Sequence, residues 1–332
     1  MTGQFSSAAE RAELFDEPLI SRLAGGLRHR DRRWLADEIG AHLDHPDCRI
    51  VVLTGAPGTG KSVAMARLAR EHPDWPRYFI RRIGEADGDV HWHEGSLASF
   101  LTQIGLQLLA LRPELFPNPD PQLVAELETD VVEVGADVSV VRVAEWITHP
   151  FRRDAVRARL KAAYVKGRAS VLEIGKLIAD AADIKPAALE KPALGEPLRK
   201  LADDYGGERV VVLLDGLDEL RFRDAATNVG QWLARHPRFP ANLRIVVATR
   251  PDTPLLRELT LGHHKSVHEV PIPRDSPKIR EDVEGYLRDL ASEAEVSAVL
   301  TSHGISPERL AGQISSKAAG NFLYLDMIAR LL

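Results

Sequence analysis

The chain has 332 residues, which is enough for one large domain or two ordinary ones, each with a sizeable core. Its composition, 44% hydrophobic and 27% charged, is typical of globular proteins, and a net charge of -5 gives no electrostatic reason to expect nucleic-acid binding. One cysteine, Cys48, excludes an intrachain disulfide and a cysteine-based zinc site. Because neither a signal peptide nor an apolar run of about 18 residues is present, we expect a cytoplasmic protein without a membrane span.

The first 45 residues predict a polar lead and an amphipathic helix. Trp34, Leu35, Ile39 and Leu43 recur at helical spacing, and the basic stretch 28–33 before them is interpreted as an exposed helix start. The next predicted elements alternate as strand, helix, strand and helix, at 50–54, 60–71, 78–83 and from the capping residue Ser96 onward.

The middle of the chain does not continue this alternation. Residues 131–143 alternate around a Gly-Ala-Asp turn and predict a β-hairpin, and helices are predicted around 152–166 and 171–182. No internal repeat is recognised. We therefore interpret residues 118–193 as an insertion, which forms either a small lobe or a docking surface.

The regular alternation resumes at residue 194. Helices are predicted at 194–204 and 225–234, strands at 209–214, 243–248 and near 267–271, and helices from there to the end.

The run of residues 50–62 delivers an apolar strand into the pattern G-x-x-x-x-G-K-S, the phosphate-binding P-loop. The glycines permit the tight turn and bring backbone N–H groups against phosphate oxygens, while the following helix points its positive end at the same anion. In this motif the lysine reaches the β- and γ-phosphates and the serine hydroxyl binds Mg²⁺. The predicted nucleotide-binding residues here are Gly55, Ala56, Pro57, Gly58, Thr59, Gly60, Lys61, Ser62 and Val63.

A second acidic motif follows the apolar strand at 210–214. Asp215, Asp218 and Glu219 stand at the strand's carboxyl end, where open α/β sheets bind ligands. Asp215 is predicted to hold Mg²⁺ through water, and Asp218 or Glu219 to orient or deprotonate the water that attacks the γ-phosphate. The alternative is an acidic, solvated turn.

The third apolar strand ends in Thr249 and Arg250, which are candidates for sensing the γ-phosphate. The alternative is an arginine that caps the strand end or pairs with a surface acid. The histidines of His91-Trp-His93-Glu94 lack the helical spacing of a zinc site, so we interpret that segment as a surface loop.

These three motifs resemble those of the STAND NTPases, within them the NACHT branch, and in particular the type found in WD-repeat NACHT proteins. The resemblance rests on GAPGTGKS at 55–62, VVVLLDGLDEL at 210–220 and RIVVATRP at 244–251, and on helical patterns at 279–287 and 314–325. The D-G-L-D-E form is its most specific part, and the insertion is not covered.

The resemblance implies roles for further residues. It makes Asp215 the Walker B aspartate, Asp218 and Glu219 the catalytic acids, and Arg250 the sensor arginine. The stretch around Arg30 corresponds to a segment that contacts adenine, although the glycine usual before the arginine is missing. Phe322 stands where the family's G-x-P-L motif has proline, so either a contact with adenine or plain helix packing is implied.

Proteins of this type are switches. The resemblance implies a chain that binds ATP or ADP with Mg²⁺, hydrolyses ATP slowly, self-associates when ATP is bound, and acts in defence or cell-death signalling. It also implies partners, because a winged-helix domain and sensor repeats are expected either in cis beyond Leu332 or together with a separate effector protein.

We therefore expect an α/β protein of the P-loop NTPase type with a central parallel sheet, an inserted lobe and a C-terminal helical lid. The expected domains are an N-terminal segment at 1–45, the nucleotide-binding domain at 46–274 and the lid at 275–332. The open alternatives in function are an AAA+-like ATPase that remodels a client, a P-loop phosphotransferase, and a binding scaffold with an inactive site.

Overall fold

The computed structural model describes residues 8–25, 32–80, 95–116, 121–132, 137–143, 146–147, 155–165, 168–174, 177–178, 189–220 and 228–331, with the backbone alone between 121 and 178. In the first part of the chain the elements are α1 (Ala8–Leu14), α2 (Glu17–Ala24), α3 (Arg33–Asp44), β1 (Ile50–Gly55), α4 (Lys61–Glu71), β2 (Arg77–Phe79) and α5 (Leu97–Leu111). In the middle they are β3 (Pro121–Val132), β4 (Asp137–Val143), β5 (Trp146–Ile147), β6 (Ala155–Val165), β7 (Arg168–Ile174) and β8 (Leu177–Ile178).

The last part of the chain completes the core and forms the lid. A π-helical turn, Lys191–Gly195, leads into α6 (Glu196–Asp204), and β9 (Val210–Asp215) is followed by the 3-10 turn Leu217–Glu219. Then come α7 (Val229–Arg235), β10 (Leu243–Thr249), α8 (Pro254–His263), β11 (Val267–Ile272), α9 (Pro277–Ala291), α10 (Ala294–Ser302), α11 (Pro307–Ala318) and α12 (Phe322–Ala329).

The core is a five-stranded parallel sheet in the order β11-β1-β10-β9-β2. Strands β1, β9 and β10 are buried along their whole length because helices cover both faces of the sheet. Within β1, Ile50 and Val52 pack into one apolar cluster while Val51 and Leu53 pack into the other, as the two-residue period of a strand requires. The predicted α/β class with a parallel sheet is confirmed.

The strand order decides where the polar strand ends meet. Strand β10 lies between β1 and β9, so the end carrying Thr249 separates the P-loop from Asp215. Since all five strands are parallel, their carboxyl ends share one edge of the sheet, and the three predicted motifs converge there.

The inserted segment differs from its prediction. Residues 131–143 do not form a hairpin, because β3 pairs in parallel with β6 and β4 with β7. The predicted helices at 152–166 and 171–182 are wrong as well, because β6, β7 and β8 occupy those residues. Ala-rich sequence favours a helix locally, but pairing with a second strand overrides that preference.

Three helices of the lid pack against one another and against the N-terminal helix α3. Tyr286, Leu287 and Leu290 of α9 are buried in the same apolar cluster as Ile314 of α11 and Leu325 of α12. None of the helices in the described ranges has the length and apolar composition needed to cross a bilayer.

Candidate nucleotide-binding site

The P-loop has the conformation that its glycines predict. Gly58 and Gly60 adopt positive φ angles of 81° and 85°, in the left-handed region that glycine tolerates without strain. Helix α4 begins directly after Gly60, so its N-terminal end faces the loop. Lys61 is buried, and its Nζ donates hydrogen bonds to the carbonyls of Gly55 at 2.7 Å and Ala56 at 3.3 Å. Lys61 therefore lies along the inside of the loop, and burial lowers the pKa of its ammonium group.

Asp215 lies at the end of β9 beside the first turn of α4. Its carboxylate accepts hydrogen bonds from the Ser62 hydroxyl and the Gly216 N–H. Burial outweighs both bonds and raises the pKa of Asp215 from 3.8 to about 6. A buried carboxylate hydrogen-bonded to a hydroxyl is a donor pair that Mg²⁺ accepts, so Ser62 and Asp215 could hold the ion together.

The chain then turns sharply so that the next two acids face the site. Gly216 has a φ of 79°, and a Cβ at this position would lie 2.6 Å from the Ile80 carbonyl oxygen. The turn brings Asp218 within reach of Arg250, whose Nε donates to Asp218 Oδ2 at 2.5 Å. Arg250 Nη2 also lies 4.0 Å from Glu219 Oε1. Arg250 thus pairs with an acid, as one interpretation expected, and that acid, Asp218, is itself a predicted catalytic residue.

These groups surround one cleft of about 390 Å³, a size suited to a small polar ligand. Most of the predicted catalytic and binding residues line it: Pro57, Gly58, Lys61, Ser62, Asp215, Asp218, Glu219 and Arg250. Thr249 is not among the residues that line the cleft. It is buried in β10 beside Thr54, and its Oγ1 has no hydrogen-bond partner within the described residues.

The lid contacts the P-loop directly, which the sequence did not predict. The Phe322 N–H donates to the Gly58 carbonyl at 2.7 Å, and a Cβ on Gly58 would lie 1.9 Å from Asn321 Oδ1. From the segment between sheet and lid, Arg274 Nη2 donates to the Pro57 carbonyl. Gly320 packs on the Arg274 backbone, where a Cβ would come 2.5 Å from the carbonyl oxygen. The turn between α11 and α12 is thereby fixed against the loop.

Beside Gly60 and Val63, Arg32 links three parts of the chain. Its Nη1 donates to the Thr59 carbonyl at 2.6 Å, its Nε pairs with Asp282 at 3.0 Å, and its guanidinium lies 4.4 Å from the centre of the Phe322 ring. The Arg32 side chain is only 11% exposed, so the interpretation of this arginine as part of an exposed helix start is wrong. A carboxylate and an aromatic ring on the lid hold it, and nothing local in the sequence indicates either.

The small cleft at this position has a volume of only about 20 Å³, because the Arg32 guanidinium lies against Phe322. Phe322 thus packs on Arg32 and edge-on to Tyr286. Arg30, the predicted adenine-contacting residue, lies outside the described residues, as do His91 and His93. Over the ranges that are described, no group of three or more acidic, histidine or cysteine side chains could hold a metal ion.

Comparison with protein families agrees with this geometry. Residues 27–247 match the AAA ATPase domain. The chain belongs to the AAA ATPase domain family. The match includes the P-loop, Asp215 and both later acids, and it stops before Thr249, Arg250 and the lid. No curated protein matches the chain. Membership in the AAA ATPase domain family supports nucleotide binding and nucleoside triphosphate hydrolysis in general.

Proposed function

We propose that this ATPase domain is the regulatory module of a STAND-type switch of the NACHT class, in which the bound nucleotide sets the position of the lid. The observation that carries the proposal is the docking of the lid turn on the P-loop, through the hydrogen bond from the Phe322 N–H to the Gly58 carbonyl. The same loop would bind phosphate and is hydrogen-bonded to the lid. A change in the loop on phosphate binding would therefore change its contact with the lid, so the bound nucleotide would favour one position of the lid over another.

In this proposal the P-loop N–H groups and Lys61 hold the phosphates, and Ser62 and Asp215 hold Mg²⁺. When bound, Mg²⁺ supplies positive charge that offsets the charge on the phosphate oxygens. Lys61 already lies between the two sides of the loop, so a phosphate replaces the Gly55 and Ala56 carbonyls as its partner. Because burial raises the pKa of Asp215 to about 6, the ionised form that binds Mg²⁺ predominates only above that pH.

Asp218 and Glu219 are proposed to orient the attacking water and to accept its proton. The ion pair between Asp218 and Arg250 supports slow hydrolysis, because it keeps an acid and the sensor arginine bound to each other. Arg250 is 46% exposed and Asp218 is 11% exposed, so the arginine is free to swing away while the acid stays. Turnover then requires that Arg250 exchange Asp218 for a phosphate oxygen.

An ATPase that remodels a client fits the family match equally well and is the second candidate function. A P-loop phosphotransferase is the third. The experiment is to identify the nucleotide that copurifies with the chain and to measure ATP turnover against protein concentration. A switch retains ADP through purification and turns over slowly. Fast turnover that rises steeply with concentration would favour the remodelling ATPase, and turnover that needs an added acceptor would favour the phosphotransferase.

The coupling itself is tested by Asn321→Ala, with Ser306→Ala as the matched control. Asn321 and Ser306 both cap lid helices, but of the two only Asn321 packs against Gly58. We expect release of a fluorescent ADP analogue to be about tenfold faster in Asn321→Ala, corresponding to about 1.4 kcal/mol, and unchanged in Ser306→Ala. Equal release rates in the two variants would contradict the proposal.

A further inference from the structure

The inserted lobe is built from two successive passes of the chain over the same path. Each of its first three strands pairs in parallel with the strand three places later: β3 with β6, β4 with β7, and β5 with β8. We call β3 to β5 the first coil and β6 to β8 the second coil. The sequence did not reveal this repeat because few registered positions are identical, among them Leu127 with Leu160 and Ile147 with Ile178.

The register between the coils places residues of opposite charge side by side. Glu126 is registered with Arg159, and Glu128 with Lys161. In the next pair of strands Asp137 is registered with Arg168, and Arg142 with Glu173. At every described register position where both residues are charged, the two charges are opposite. Opposite charges at adjacent positions favour strand pairing and like charges oppose it, so this pattern selects the observed register.

Each strand of the lobe pairs on one side only within the described residues, because β3–β6, β4–β7 and β5–β8 are two-stranded sheets. Along the strands that the structure describes, the outer edge of each coil therefore presents unpaired backbone N–H and C=O groups, which are a template for another strand. Repeat structures of this kind gain stability from stacked neighbours, and two coils are fewer than such stacks usually need.

We propose that the lobe is a self-association surface, on which the first coil of a second copy of this chain stacks on the second coil of the first copy. The charges favour a second copy of this chain as the partner. Its first coil would stack on the second coil of the first copy in the same way as the two coils of one chain stack on each other. Glu126 and Glu128 of the incoming copy are then registered with Arg159 and Lys161, as they are within one chain. The interface is head-to-tail, so each addition leaves a new second coil exposed.

The geometry also limits the size of the assembly. Two coils add only about 10 Å along the stack, since neighbouring strands lie about 4.8 Å apart. The ATPase cores are much wider than that, so they must fan out around the stack and will soon crowd one another. Crowding of the cores is therefore expected to limit the stack to a small number of chains rather than a long fibre.

The test uses charge reversal in the full chain, followed by sedimentation velocity with ADP and with ATP. The first variant carries Glu126→Lys and Glu128→Lys, and the second carries Arg159→Glu and Lys161→Glu. Each variant alone opposes like charges between the two coils of its own lobe and between chains, so we expect self-association on the order of tenfold weaker or more. When the two are mixed, the registered charges between chains are again opposite while those within each lobe stay alike. The two variants should then co-assemble, and a mixture that stays monomeric would refute the interface.

A variant with all four reversals restores the complementary pattern and should self-associate like the parent. The matched control is Arg199→Glu with Lys200→Glu, which makes the same change in net charge as Arg159→Glu with Lys161→Glu but on helix α6, outside the lobe. Circular dichroism checks that the variants fold. A folded four-reversal variant that stays monomeric would refute the proposal, and so would single variants that assemble like the parent or a parent that is monomeric with either nucleotide.

The lobe interface would explain the self-association expected of the proposed switch, so it rests on the proposed function. Different results would refute the interface and the switch. Nucleotide content and turnover per chain are measured on the same samples. Loss of assembly with unchanged nucleotide content supports the lobe interface. Unchanged assembly refutes the lobe interface and leaves the proposed switch untouched, whereas fast turnover in the parent refutes the switch alone.

Discussion

Replacing Asp215 with asparagine removes a carboxyl group that is buried at the end of a central strand. Burial raises its pKa from 3.8 to about 6, against the opposing effect of the hydrogen bonds from Ser62 and Gly216. One pKa unit corresponds to about 1.4 kcal/mol, so a rise of about two units means that the ionised carboxylate destabilises the nucleotide-free fold by about 3 kcal/mol. The Asp215→Asn variant keeps an acceptor oxygen and loses the charge.

The sign of the pH dependence follows from the direction of the pKa change. Between pH 3.8 and about 6 the folded protein holds the Asp215 proton more tightly than the unfolded chain does. The free energy of unfolding of the parent therefore falls as the pH rises through this window and stays low above it. Asp215→Asn lacks this titration, so it should be more stable than the parent by about 3 kcal/mol near neutral pH, with the difference shrinking toward zero below about pH 4.

The assay is urea unfolding of both proteins at a series of pH values, with a chelator and without nucleotide. A second series adds Mg²⁺ and ATP, which should stabilise the parent by mass action and leave Asp215→Asn nearly unchanged. A stability difference that does not vary with pH, or a parent that is the more stable protein above pH 6, would refute the reasoning.

Three further predictions concern the cleft and the lid. Lys61→Ala should abolish binding of a fluorescent nucleotide while Lys191→Ala, an exposed lysine 78% accessible, leaves binding intact; equal affinities would contradict the site. Asp218→Ala should keep nucleotide affinity and slow ATP turnover on the order of a hundredfold, measured by phosphate release; undiminished turnover would remove Asp218 from catalysis. Arg32→Ala should lower the free energy of unfolding by about 3 kcal/mol because it removes the cation paired with the buried Asp282 carboxylate, and Arg32→Ala with Asp282→Ala should cost less than the sum of the single changes in a double-mutant cycle.

The parts of the site that lie within short stretches of sequence could be predicted. The P-loop, Asp215 and the two later acids each follow a buried strand, and the spacing within a motif determines its local geometry. A parallel sheet then brings the strand ends together without further information. The strand limits of β1, β9 and β10 agree with the prediction to within one or two residues.

The contacts that join distant segments could not be predicted. Gly58 and Asn321 lie far apart in the chain, and their packing depends on where the lid sits. Arg32 looked like one exposed arginine among several, because the acid and the ring that bury it belong to the lid. In the lobe, the sequence of the second coil predicts helices because its strand β6 is rich in alanine, arginine and lysine. These residues favour a helix when no partner strand is considered.

The hydrogen bond from Arg274 to the Pro57 carbonyl has a mechanical consequence. Arg274 lies in the short connection between β11 and α9, so it joins the start of the lid to the phosphate-binding loop. Helix α9 has 15 residues and is therefore a lever arm of about 22 Å. A rotation of about 10° at this point displaces its far end by about 4 Å, more than the length of a hydrogen bond. In the proposed switch, a small shift of the phosphate-binding loop would thus become a larger displacement at the far end of α9.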